Sequence, residues 1–132
     1  MVKIIHQSGK RKRAVARATI KPGTGKVRIN NEMLDVYGTK LVRLRLKEPL
    51  IIAGEVAAGV DINVNVAGGG VNSQAEASRL AIARALAKYS KKLEKAFLNY
   101  DRHLLVADIR RKEAAKPNCR GQARAKRQKS YR

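Results

Sequence analysis

The chain of 132 residues has one cysteine, ten acidic residues and no long apolar run. A lone Cys119 excludes an internal disulfide and a cysteine-rich zinc site. Paired with His103 it supplies two metal ligands and no third, so it reads as a free thiol, no metal or cofactor is expected, and a reducing compartment is. No stretch approaches the roughly 18 apolar residues of a membrane span, and the N-terminus has no apolar signal core. A soluble, cytoplasmic protein without a membrane partner is the expectation. The scarce acids are also confined: none occurs in residues 1–31 or 114–132.

What is abundant is positive charge. Thirty Lys and Arg give a formal net charge of +20, and the two acid-free ends carry nine and seven of these cations. The centre, from Glu32 to Glu113, sets fourteen bases against all ten acids. A nearly balanced domain therefore carries two cationic appendages, which implies a polyanionic partner, nucleic acid before any other. A DNA-compacting protein is the alternative, although it has no need of two separate appendages. The length suits one domain, 1–107, followed by an extended basic tail, 108–132. From Ala114 onward only Pro117, Cys119 and Tyr131 exceed alanine among apolar side chains, too few to build a core. The interleaved small and polar residues suit a backbone threading a crevice, where sequence-independent phosphate contacts dominate. Fully extended, these nineteen residues reach roughly 60 Å.

Along the chain, Lys3 to Ser8 reads as a short strand followed by Gly9 and the block Lys10, Arg11, Lys12, Arg13, either a solvated bulge or a phosphate clamp. Ala14, Ala16, Ala18 and Ile20 alternate with Val15, Arg17, Thr19 and Lys21, the pattern of a half-buried strand. Pro22 to Gly25 reads as a turn and Lys26 to Asn30 as a second strand, which together predict a hairpin. Glu32 to Tyr37 is expected to form a helical turn. Leu41 to Lys47 fits strand or short basic helix, either one ended by Pro49, and Leu50, Ile51 and Ile52 read as core. Val60, Ile62, Val64 and Val66 mark the clearest strand. After Gly68, Gly69 and Gly70, Ser73 and Glu76 read as a capping box opening an Ala-rich helix able to lie close to a sheet. Ser90 begins a second helix with Leu93, Ala96, Phe97 and Tyr100 at helical spacing. The segment from His103 to Asp108 is a last apolar anchor.

The triple glycine before a helix N-terminus is the one place for small-molecule chemistry. Free amides and the helix dipole there suit a phosphate, of RNA or of a nucleotide, while a tight strand-to-helix turn explains the same glycines without any ligand. A nucleotide-dependent kinase would add a catalytic carboxylate and magnesium ligands. Asp61, Asp101 and Asp108 have no telling spacing for that task.

Four stretches carry a family likeness: Gly9 to Asn30, Val66 to Leu86, the Asp108, Arg110, Glu113 pattern, and the terminal QKSYR. Together they resemble the universal small-subunit ribosomal protein nine family, numbered sixteen in eukaryotic cytoplasmic ribosomes, with a Ser-Tyr-Arg ending of archaeal and eukaryotic type. The resemblance implies an α/β (α+β two-layer) fold of the ribosomal protein S-five second-domain type, a mixed sheet packed by helices, shared with some small-molecule kinases. It implies a structural protein and not an enzyme or a homo-oligomer, with small-subunit rRNA of the head and neighbouring ribosomal proteins as partners. The candidate rRNA contacts are Lys10, Arg11, Lys12, Arg13, Gly68, Gly69, Gly70, Arg110, Arg111, Lys112, Lys116, Arg120, Arg124, Lys126 and Arg127. The resemblance also implies that Lys129, Ser130, Tyr131 and Arg132 approach the anticodon stem-loop of peptidyl-site tRNA. Tyr131 stands where bacterial members have Lys, which replaces an ionic contact by stacking or a hydroxyl hydrogen bond.

Overall fold

Alternation of small or β-branched residues with polar ones builds a single five-stranded sheet. The structure, a computed structural model, describes residues 2–124. Its strands are β1 (Ile5–Arg11), β2 (Ala14–Pro22), β3 (Val27–Ile29), β4 (Glu32–Met33) and β5 (Val60–Ala67), in the spatial order β1-β2-β5-β3-β4. The central strand β5 runs antiparallel to β2 and parallel to β3, so the sheet is mixed. The helices are α1 (Lys40–Ala53), α2 (Glu55–Ala58), α3 (Val71–Tyr89) and α4 (Lys92–Tyr100), followed by a 3-10 turn at Arg102–Leu104. This is the two-layer mixed α/β architecture expected from the sequence.

The core lies between the sheet and α3. Ala14, Ala16, Ala18 and Ile20 of β2 and Val60, Ile62, Val64 and Val66 of β5 point at the helix and are buried. Ala75, Ala77, Ala81 and Ala85 answer from α3, and small side chains on both surfaces let the two layers approach closely. Contact is closest at Gly9, where an added Cβ would stand 2.4 Å from the Ala77 carbonyl oxygen and 2.7 Å from the Ala81 nitrogen. Helices α1 and α4 pack on α3 in turn, with Leu46, Phe97 and Leu104 fully buried beneath them.

Several local expectations are overturned. The strands on either side of residues 22–25 do not form a hairpin, because β5 lies between them. The loop need only cross one strand, about 10 Å, and the fully paired β5 gains hydrogen bonds on both edges. The basic block forms no bulge: β1 continues through Arg11, and only Lys12 and Arg13 form the turn into β2. Glu32–Met33 pairs with β3 as a strand, across a turn in which Asn30 and Asn31 both adopt positive φ, 49° and 70°. That is the backbone twist a two-residue hairpin requires, and asparagine tolerates it. Leu41 to Lys47 is helical, and Pro49 lies inside α1 rather than ending it. Burial of Leu46, Pro49 and Ala53 on one side of the helix offsets the lost backbone hydrogen bond. Ile51 falls on the opposite side and is 74% exposed, with Leu50 and Ile52 only half-buried. Helix α3 begins at Val71, two residues before Ser73, and Gly70 is its cap residue, so there is no capping box.

Candidate nucleic-acid interface

Three chain segments meet at one end of the sheet. The β1–β2 turn supplies Lys12 and Arg13, the glycine loop and the first turn of α3 supply Gly69, Gly70 and Ser73, and the chain leaving the domain supplies Arg110 to Ala115. They enclose a cleft of about 820 Å³ lined by five cations and a single carboxylate, that of Glu113. Arg124 takes up that carboxylate through Nε, at 2.8 and 3.0 Å, and holds Glu113 below the usual carboxylate range. The rest of the wall is positive.

The glycines divide the labour. Gly68 and Gly69 sit at φ 78° and 65°, and a Cβ on them would lie 2.7 Å from the Arg13 carbonyl oxygen and 3.0 Å from the Ala14 nitrogen. They are required by the turn and by the backbone of the β1–β2 turn passing beneath it. Gly70 is different: its backbone is extended, and a Cβ would meet nothing within 4 Å. It opens the first turn of α3, which no side chain caps, so the amides that any helix leaves unpaired there face the cleft with the positive end of the dipole.

The outgoing chain is pinned beside this opening. Leu104 is fully buried, and Arg84 donates from Nε to the Leu105 carbonyl at 2.9 Å and from Nη1 to the Ser8 carbonyl at 3.0 Å. Asp108 then accepts from the Arg110 guanidinium at 2.8 Å and from the Arg110 backbone N–H at 2.9 Å, with Arg11 Nη1 at 3.3 Å. These partners, Arg110 first, hold Asp108 far below the ordinary carboxylate range. The carboxylate thus ties the start of the tail to β1.

A second cleft, of about 770 Å³, lies on the other side of Lys12 and includes Lys10, Arg11 and Arg45. Four carboxylates line it, Glu48, Glu76, Asp101 and Asp108. Arg79, only 7% exposed, donates to Glu48 at 2.6 Å and to Asp101 at 3.1 Å, and Arg45 pairs with Glu76. Its four arginines are paired with these carboxylates, so most of its charge braces the helices and the chain leaving them, with Lys10 and Lys12 at its rim.

Of the candidate contacts named from the sequence, Lys12, Arg13, Gly69, Gly70, Arg110, Arg111 and Lys112 come together around the first cleft. Lys10 and Arg11 line the neighbouring cleft, and Gly68 packs against the backbone of the β1–β2 turn. Lys116, Arg120 and Arg124 belong to a segment that turns back on itself, where the Lys116 N–H donates to the Gln122 carbonyl at 3.3 Å. Lys126, Arg127, Lys129, Ser130, Tyr131 and Arg132 lie outside the described residues. Ser73 was missed as a lining residue. Its signal, a serine three residues after the last of three glycines, reads as a cap, but the cap residue is Gly70, three positions earlier. Among the described residues no three His, Cys, Asp or Glu side chains cluster to hold a metal, and no helix is long and apolar enough to cross a membrane.

The family model for ribosomal protein S9/S16 matches residues 9–132. The chain belongs to the ribosomal protein S9/S16 family. Among curated relatives it is 46% identical to the small ribosomal subunit protein uS9 of Methanococcus maripaludis strain C7, over 99% of this chain and all of the relative. The same identity and coverage hold for the protein of that name from Methanococcus vannielii. As a member of this ribosomal family the chain is a structural component and not an enzyme.

Proposed function

We propose that this structural constituent of the small ribosomal subunit, at work on cytoplasmic ribosomes, holds rRNA of the subunit head through the glycine cleft and its basic tail. The tail, residues 108–132, runs on through the rRNA until Lys129, Ser130, Tyr131 and Arg132 reach the anticodon stem-loop of peptidyl-site tRNA. The observation that carries the rRNA reading is the convergence of Lys12, Arg13, Arg110, Arg111 and Lys112 on the uncapped start of α3. An RNA phosphate seated there meets backbone amides, a helix dipole and several cations at once. The names of the relatives, all small-subunit proteins, support the assembly. The tRNA reading is supported by the terminal sequence alone.

Gly70→Asp tests the cleft. Gly70 is extended with open space beside it, so an aspartate fits and caps α3, stabilising the fold by about a few tenths of a kcal/mol. The same carboxylate occupies the phosphate position. Binding to head-domain rRNA should weaken about tenfold while the urea midpoint holds or rises; unchanged affinity would remove the cleft from the interface. For the tail end, ending the chain before Lys129 should lower peptidyl-site tRNA affinity and loosen reading-frame maintenance on reconstituted subunits. Wild-type values in both would sink the tRNA role.

A further inference from the structure

All the helical packing falls on one face of the sheet. Helix α3 covers β1, β2 and β5, and α1 and α4 stack on α3. Among the described residues no helix lies on the opposite face, and its side chains on β1, β2, β3 and β5 are exposed or half-exposed.

We propose that this uncovered face is a second RNA-docking surface, which grips the sugar-phosphate backbone of a duplex stem through Arg17, Lys21 and Arg28. The inference rests on the reading that the chain binds rRNA, and extends it to residues that the cleft does not include. Strand register places Arg17 opposite Asn65, sets Thr19, Asn63 and Arg28 in one row across three strands, and puts Lys21 opposite Asp61. The exposed side of a half-buried sheet ordinarily mixes charges of both signs. Here four cations, Lys10, Arg17, Lys21 and Arg28, share the face with one carboxylate, and that carboxylate is engaged. Asp61 accepts from the backbone N–H groups of Lys26 at 3.0 Å and Thr24 at 2.8 Å, and these bonds, Lys26 first, hold it below the usual carboxylate range. It lies against Gly23, where even a Cβ would collide with it at 2.1 Å. Glu32 is in register with the buried Ile29 and so belongs to the helix side.

The chemistry of the face selects its occupant. None of the strand positions on it carries Phe, Tyr or Trp, and its one ring, the His6 imidazole, is hydrogen-bonded to the Thr19 hydroxyl at 2.9 Å, so unstacked bases find a poor platform, and single strands are held largely by stacking. Asn63, Asn65 and Thr19 instead offer amide and hydroxyl groups between the cations, suited to ribose 2′-hydroxyls and phosphate oxygens. Charge with neutral donors and acceptors, and without a row of large rings, is the chemistry of recognising A-form RNA by shape and backbone. The face is also continuous with the cleft. Arg17 lies four residues along β2 from the Lys12–Arg13 turn, about 13 Å, so a stem with one phosphate in the cleft can run on across the sheet.

The test uses the full chain and three probes: an RNA hairpin with a stem of about 16 base pairs, a single-stranded RNA of the same composition, and the corresponding DNA duplex. The variant Arg17→Gln/Lys21→Gln/Arg28→Gln touches no core residue, and an unchanged unfolding midpoint verifies its fold. Its affinity for the RNA stem should fall at least about tenfold near 0.1 M salt, with a salt slope shallower by roughly 2.7. Its affinity for the single strand should fall less. Asn63→Ala/Asn65→Ala should narrow the preference for RNA over DNA stems. Wild-type binding and slope in the triple variant would overturn the proposal. If that variant instead keeps its RNA affinity and loses a neighbouring protein of the subunit, the face docks protein and the proposal is wrong. A parallel variant, Arg110→Gln/Arg111→Gln/Lys112→Gln, separates the two readings. Loss there alone leaves the cleft standing and removes the sheet face, whereas no loss in either variant brings down the rRNA reading itself.

Discussion

Lys12 holds a backbone φ of 53° at the tip of the β1–β2 turn, a region that disfavours side chains bearing a Cβ by roughly 1 to 2 kcal/mol. Glycine would be the relaxed choice there. A strained lysine on the rim of a cationic cleft is what an interface position looks like when binding competes with stability. Lys12→Gly should therefore raise stability by about 1 kcal/mol and weaken rRNA binding. Both effects can be read from a urea titration and a filter-binding curve on the same preparation. A gain in stability with unchanged RNA affinity would leave the strain without a functional reason. Gly9 makes the opposite case. Its backbone lies in the ordinary strand region, yet a Cβ would stand 2.4 Å from the backbone of α3, and a helix cannot yield as a flexible side chain can. Gly9→Ala is expected to cost about 3 kcal/mol and to lower the denaturant midpoint without altering the slope of the transition. In the sequence, Gly9 reads as mere punctuation before a basic block. Nothing local marks it as a contact point with a helix some seventy residues further on.

Arg79 joins three elements. From α3 it reaches Glu48 of α1 and Asp101 at the end of α4, so one guanidinium sets the angle between the helices that back the sheet. Arg79→Ala would leave two carboxylates facing each other across a mostly buried gap. Because Glu48 and Asp101 remain 31% and 35% exposed, the loss should stand at the lower end for a broken buried pair, about 3 kcal/mol, and Arg79→Lys should recover little of it, since an ammonium cannot fork to both partners. Equilibrium unfolding of the two variants decides this. The pH dependence follows from Asp101. Burial alone would raise its affinity for protons, but the His103 N–H and Arg79 outweigh it and hold the carboxyl below the usual range. A depressed native value means that the stabilisation is complete above the unfolded value near pH 4 and is lost as pH falls through the native one. The stability gap between wild type and Asp101→Asn should thus be widest at neutral pH and close below about pH 4.

The same elements show what a one-dimensional pattern can carry. The alternation in β2 and β5 and the length of α3 were legible because burial on one face imposes a period on the sequence itself. The pairing was not. Nothing within residues 14–30 reveals that Val60–Ala67 will enter between two strands joined by a short loop, because that choice is made by hydrogen bonds on the edges of β5. Pro49 was misread for a related reason: local chemistry says stop, and the buried side of α1 overrides it. Of the cleft, the cations and glycines were legible by type, and their meeting at the start of α3 was a matter of topology.

At the scale of the whole molecule, the question is how far the folded domain and the tail are separate in energy as well as in sequence. The core is closed by Leu104, and the last ties of the outgoing chain to the domain are Arg84 of α3 to the Leu105 carbonyl and Arg11 of β1 to Asp108. Beyond Asp108, the described side-chain pairs stay within the tail: Glu113 holds Arg124. A chain ending at Ala115 keeps both of these ties, and keeps the cleft lined by Lys12, Arg13, Arg110, Arg111 and Lys112. Its unfolding midpoint should match that of the full chain. Its RNA binding should not, because the seven cations from Lys116 to Arg132 are gone. If each neutralises one phosphate of unpaired rRNA, the slope of log affinity against log salt should be shallower by roughly 5. The cleft and the sheet face should retain a measurable residue of affinity at low salt. A truncated chain that melts early would place part of the core's support in the tail. One that melts normally but keeps the full slope would mean that the domain, rather than the tail, carries the phosphate contacts.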